Sequence, residues 1–306
     1  QLGDLIGNSF EIAVRDCTAD PARIREIVEE DMRIIAAEKG FPNYFGVQRF
    51  GVVRPVTHLV GERIVRGDIE GAVRTYICYT TPEEEADVRE IRTSLEGTDD
   101  WAHAREIMPE KMSFEKVMAQ VLAEGGDWKD AISALPSNLQ MILVHAYQSY
   151  LFNEMLSERM ARGLPLNAPV EGDIVIPLAA DGTPQHEAPV LADSRNIDLV
   201  SRQVKLGRAF VTAALYGSET ILAEGEQGEI ERSIAEREGL KPEDFVVPGL
   251  SKCSSKGGRR ELLCPVKDLR ADFRDDGSYS VSFSLPKGNY ATCLMREFMK
   301  SEMRDY

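Results

Sequence analysis

Residues 43–51 read Asn43-Tyr44-Phe45-Gly46-Val47-Gln48-Arg49-Phe50-Gly51. Three aromatic rings, two side-chain amides, one guanidinium and two glycines stand within nine positions. Unpaired bases stack on aromatic faces, amides hydrogen-bond base edges, and a guanidinium grips an anion in a fork. Glycine lets a ligand come close to the backbone. The mixture suits a site that holds a flat heterocycle beside an anionic group. Asn43 is the candidate edge reader and Phe45 the candidate stacking ring or wedge. Gln48 and Arg49 are placed in or beside the site, Arg49 to steady an ionised carboxylate or to hold phosphate. The structural alternatives are a turn-stabilising Asn43 after Pro42, a core Phe45 and an Arg49 that braces the fold through an ion pair.

A second group of candidates is basic. Lys252, Lys256, Arg259 and Arg260 crowd residues 251–260, and Lys287 stands in the Pro286-Lys287-Gly288-Asn289-Tyr290 turn. All five are candidate contacts to backbone phosphates of a polyanionic partner, each expected to steepen the salt dependence of binding. The 251–260 segment reads as a flexible basic linker or loop. It lacks the G-x-x-x-x-G-K-[ST] order, so no nucleotide cofactor is expected.

The elements that must position these residues are written in the patterning. Phe10, Ile12 and Val14 alternate with small or polar residues, the period of a half-buried strand. Asp20-Pro21 starts a helix as N-cap and first-turn proline. Ile24, Ile27, Val28, Ile34 and Ile35 give it an apolar stripe, and Gly40 ends it. The motif at 43–51 then lies on a loop or at the start of a strand. Residues 72–162 read as helical, with one long helix from Ser137 to Met160. Residues 168–200 carry strand and turn signals, Asp181-Gly182 among them. Val281, Phe283 and Leu285 alternate as a strand, and 291–303 continue as a helix.

Charge divides the chain in the same way. The 306 residues carry a net charge of −15. Residues 1–80 hold 10 Lys/Arg against 12 Asp/Glu and residues 251–306 hold 11 against 8, which leaves 15 against 31 between them. The acidity sits in the middle, so the two ends remain open to a phosphate-bearing partner. Two ends of strand-plus-helix character around an acidic, mainly helical centre point to one compact unit with a large insertion. No run of 18 apolar residues occurs, which argues against a membrane span. Five cysteines and four histidines, without C-x-x-C or H-E-x-x-H spacing, give no metal site and no disulfide framework. The Met residues and His145 read as packing.

Four blocks, in order along the chain, resemble the TruD family of tRNA pseudouridine synthases, in an archaeal-type form. They are residues 2–10, the nonamer with Gly40-Phe41-Pro42 before it, Tyr150-Leu-Phe-Asn-Glu-Met-Leu-Ser-Glu-Arg159, and Gly258-Arg259-Arg260 with Phe283-Ser-Leu-Pro-Lys-Gly-Asn-Tyr-Ala-Thr292 and Arg296-Glu297. The resemblance implies an α+β fold: a pseudouridine synthase core with a mixed or antiparallel sheet, interrupted by a mainly helical insertion domain. The divisions expected are 1–67 with 251–306 for the catalytic domain, incomplete at its N-terminus, and 68–250 for the insertion. It further implies an isomerase that converts uridine to pseudouridine in RNA, usually uridine 13 of tRNA, without cofactor or metal. Such a protein would be cytoplasmic, monomeric and free of membrane. Asn43, Phe45 and Tyr290 match positions that touch the substrate. The family's catalytic Asp stands in a Gly-x-Lys-Asp motif, which residues 1–306 lack, so that residue is expected before Gln1. The alternative reading is a non-catalytic RNA-binding module that keeps the uridine pocket.

Overall fold

The computed structural model describes residues 7–179 and 182–301. Residues 2–6 of the first block, Asp181 of the turn signal and positions 302–303 of the expected last helix lie outside them.

The chain ends build one layer of sheet and one of helix. Strand β1 (Gly7–Val14) pairs antiparallel with β9 (Tyr279–Pro286), which pairs antiparallel with β8 (Lys267–Phe273). Phe10 lies opposite Phe283, and their rings stack with centroids 5.3 Å apart. Helix α1 (Pro21–Glu38) starts where the Asp20 carboxylate accepts the Ala22 N–H at 2.9 Å. It buries Ile24, Val28 and Ile35. Ile34 is 50% exposed, because neighbouring positions on a helix cannot face the same core. The left-handed cap residue is Lys39, one position before the expected Gly40 stop. Gly40 is required for another reason: a Cβ there would lie 2.2 Å from the Cys264 carbonyl oxygen. That close approach lets β2 (Phe41–Pro42) pair with β7 (Leu263–Cys264).

The middle of the chain is helical around one central rod. Helices α2 (Thr57–Val65), α3 (Ile69–Cys78), α4 (Ala86–Ser94), α5 (Trp101–Ile107), α6 (Ser113–Ala123) and α7 (Trp128–Ser133) precede α8 (Ser137–Ala161). Helix α8 has 25 residues and buries side chains on most of its circumference, from Leu143 to Arg159. Beside it lies an antiparallel sheet of order β4 (Val190–Leu191), β3 (Ile174–Pro177), β5 (Ala209–Leu215) and β6 (Gly258–Glu261). Helices α9 (Ile197–Lys205) and α10 (Gly225–Arg237) complete this part, and α11 (Ala291–Met299) closes the chain-end layer. The fold is α+β, and the strand pairs among the described residues are antiparallel.

The expected basic linker at 251–260 is corrected here. Ser251–Cys253 is a single 3-10 turn, and Gly258–Glu261 is an edge strand paired with Thr212–Leu215. Its two arginines masked the strand pattern.

The apolar side chains form two clusters. One joins Val14, α1, Phe41, Cys264, β9 and α11; the other runs from Phe45 and α2 to Leu262. The chain leaves the first cluster after Phe41 and returns to it at Cys264. Those two crossings are hydrogen-bonded to each other as β2 and β7.

Candidate functional site at the seam of the two cores

The 43–51 motif begins at that seam. Asn43 is 2% exposed. Its backbone N–H donates to the Leu262 carbonyl at 2.9 Å, and its side-chain Nδ2 donates to the Glu261 carbonyl at 2.9 Å. Its Oδ1 accepts from Arg260 Nη2 at 2.7 Å. Val47–Arg49 then form a single 3-10 turn.

Three elements grip the motif. Helix α8 presents Ser149, Asn153 and Ser157 at spacings of four, hence on one face. Ser149 accepts from Arg49 Nε at 3.0 Å, and Ser157 meets the Tyr44 hydroxyl at 2.9 Å. Asn153 accepts the Phe45 N–H at 2.9 Å and donates to the Phe45 carbonyl at 3.1 Å. The start of α11 holds the other side: Thr292 donates to Gln48 Oε1 at 3.0 Å, and the Cys293 thiol faces the Tyr44 carbonyl at 3.3 Å. Burial pushes that thiol up to about 11, so it stays protonated. The third support is Arg260, on β6. It donates to Gly288 O at 3.2 Å as well as to Asn43, tying the β9–α11 turn to the motif.

Phe45, 7% exposed, is the centre of the constellation. Its ring stands edge-on to Phe152 at 5.5 Å and to Tyr290 at 6.1 Å. Arg260 lies over it at 4.1 Å and Arg49 at 5.3 Å. The buried arginines elsewhere are matched by acids: Arg159 by Asp173 at 2.7 Å, Arg92 by Glu115 at 2.7 Å, Arg259 by Glu231 at 2.7 Å; Arg49 and Arg260 are only partly buried. Arg49 and Arg260 form no ion pair among the described residues, and burial lowers the Arg260 guanidinium from its usual value. Two guanidinium groups beside a ring, not ion-paired among the described residues although the Glu261 carboxylate acts on Arg260 from a distance, make a site that favours an anion.

The residues singled out in the sequence divide as follows. Asn43, Phe45, Gln48, Arg49, Arg260 and Tyr290 are brought together. Lys287 is exposed on the turn held by Arg260. Lys252 and Lys256 are exposed before β6, and Lys256 pairs with Glu219 at 3.2 Å. Arg259 is a correction. Successive strand residues point to opposite faces, so Arg259 turns toward Glu231 and Thr212 while Arg260 faces the motif. Arg259 binds Glu231, both Thr212 oxygens and the Ile221 carbonyl. No guanidinium donor is left for a phosphate. Phe152, Asn153 and Thr292 were not singled out, although the Ser149-Asn153-Ser157 spacing was a readable polar stripe on an apolar helix.

The family profile described as "tRNA pseudouridine synthase D (TruD)" matches residues 1–298. The chain belongs to the TruD family. A Halobacterium salinarum protein named "Probable tRNA pseudouridine synthase D" is 43% identical over 98% of this chain and 69% of its own length. A Methanococcoides burtonii protein of the same name is 41% identical over 99% of this chain and 70% of its own length. The crystal structure of a TruD chain from Methanosarcina mazei superposes with a TM-score of 0.92 at 37% identity, over 99% of this chain and 71% of that one. The match spans both clusters and the seam between them.

Proposed function

We propose that this chain forms the substrate pocket of a tRNA pseudouridine synthase, with uridine 13 as target, and that the pocket is the constellation around Phe45. The observation that carries the reading is the convergence of Asn43, Phe45 and Tyr290 from opposite ends of the chain, with the Phe45 and Tyr290 rings 6.1 Å apart. A uridine must leave its stack before its glycosidic bond can be worked on, and an unstacked base needs ring surface and edge partners. Tyr290, half-buried, offers the ring surface. Phe45, covered on one side by Arg260, acts as the wall that sets the base's position. Asn43 reads the base edge.

The reaction breaks the N1–C1′ bond, turns the base, and joins C5 to C1′; the proton lost from C5 is balanced by one gained at N1. The residues of this pocket hold the base through that rotation and keep water out, which favours rejoining over hydrolysis. Arg49 steadies an ionised carboxylate against the sugar. We place that carboxylate, the nucleophile or base of the reaction, outside residues 1–306. Segments 1–67 and 251–306 act as the catalytic unit and 68–250 as its insertion, with α2 burying its apolar face in the second core. Lys287, Lys252 and Lys256 remain the phosphate contacts. The protein works as a monomer in the cytoplasm, on RNA alone.

Conversion of a tRNA transcript, scored by pseudouridine-specific chemistry at the target position, tests this. The full-length protein is expected to convert it, and a polypeptide of residues 1–306 to bind without converting. Turnover by the short polypeptide would refute the external carboxylate. Binding without turnover by the full-length protein would favour a non-catalytic RNA-binding module.

A further inference from the structure

We propose that Arg260 is a positioning residue that sets which end of the Asn43 amide faces the substrate, and so makes the pocket select uracil over cytosine. This rests on the reading that the pocket receives an extruded pyrimidine.

A primary amide carries a donor and an acceptor side by side. Uracil offers N3–H flanked by carbonyl oxygens; cytosine offers N3 as acceptor beside an amino donor. An amide free to turn by a half rotation can satisfy either base. Discrimination therefore requires the amide to be locked. Asn43 is locked from two sides. Nδ2 donates to the Glu261 carbonyl at 2.9 Å, and Oδ1 accepts from Arg260 at 2.7 Å. The reverse orientation would set N–H against guanidinium N–H and oxygen against carbonyl oxygen, two repulsive contacts. Beyond those two bonds, one N–H and one oxygen lone pair of the Asn43 amide are uncommitted, in a fixed order in space.

Arg260 is itself held. Its Nη1 and Nη2 donate to Gly288 O at 3.3 and 3.2 Å, Nη2 reaches Asn289 Oδ1 at 3.4 Å, and its plane lies over Phe45. A partly buried guanidinium that forms no ion pair among the described residues, with Glu261 acting on it only from a distance, loses hydration that these hydrogen bonds offset. Lysine would keep the charge but not the planar fork that spans Asn43 and Gly288.

The test compares binding of two tRNAs by the full-length protein. One carries pseudouridine at the target position, which keeps the N3–H edge of uracil and is not turned over; the other carries cytidine there. The unaltered protein is expected to favour the first by at least about tenfold, the scale of leaving one neutral hydrogen-bonding group unpaired in the mismatched complex. Arg260→Met should bring that ratio to within about twofold, Asn43→Ala should do the same, and the double variant should be no worse than either single one. Arg260→Lys, which keeps a donor for Oδ1 and guards against loss of folding in the Met variant, should retain a ratio above about threefold. If Arg260→Met weakens both tRNAs equally and Asn43→Ala abolishes the ratio, the role of Arg260 is overturned and the pocket stands. A lysine variant as indiscriminate as Asn43→Ala also overturns it. If the unaltered protein shows no preference, or Asn43→Ala leaves it unchanged, the pocket itself is misassigned.

Discussion

Arg259 and Arg260 are chain neighbours with opposite surroundings, and the cause is the period of a strand. Composition alone reads them as one basic cluster. The pairing of Gly258–Glu261 with Thr212–Leu215 sends one to Glu231 and the other to Asn43. His58 shows a different residue-scale effect. It lies edge-on to Phe50 and stacked on Tyr150, with Nδ1 buried and unpartnered among the described residues. Burial lowers its pKa, Glu62 opposing more weakly. The unfolded chain then binds more protons than the native one as pH falls through the ordinary histidine value near 6.5, so stability is present above that value and lost below it. His58→Phe should leave the urea midpoint at about pH 7.5 nearly unchanged and reduce its fall on going to about pH 5.5. A steeper fall in the variant would refute this. His145, lowered by burial and by Arg49, keeps part of the dependence.

At the scale of elements, the motif is shaped by how closely α11 and α8 approach it. A Cβ at position 46 would lie 2.9 Å from both Gln48 Oε1 and Thr292 Oγ1 and 3.1 Å from Tyr290 Cβ. Gly46→Ala should break the Thr292–Gln48 bond and push Tyr290 away from Phe45. We expect a loss of about 1–3 kcal/mol in denaturant unfolding and a fall of about tenfold or more in conversion, since small displacements of a positioned group are costly. Unchanged conversion would show that Tyr290 does not position the base. Much of this scaffold was legible: the Asp20-Pro21 cap gave α1, alternation gave β1 and β9, and the long apolar pattern gave α8. β6 was not, because a four-residue edge strand with two arginines has no apolar alternation to show. The site residues of the nonamer were legible as a cluster of types. Asn153 and Thr292 were not, because their partners lie more than a hundred residues away.

For the whole molecule, the decisive feature is the seam. The chain passes from one apolar cluster to the other at Phe41–Phe45 and back at Leu262–Cys264, and the candidate pocket is built where those passages touch. The acidic middle folds into one cluster, whereas the less acidic ends are shared between the two: Phe45–Ile77 and Cys253–Leu262 join the cluster of the middle, and Val14–Phe41 with Cys264–Phe298 form the other. The proposed role of this seam is to hold a uridine of tRNA. Its most direct measurement is pseudouridine formation in tRNA by the full-length protein, compared with Asn43→Ala and Phe45→Ala, with tRNA affinity measured in parallel. The prediction is conversion by the unaltered protein and a loss of at least about a hundredfold in both variants, with tRNA affinity reduced by no more than about tenfold because phosphate contacts lie elsewhere. Conversion that survives both substitutions within a few-fold would contradict it.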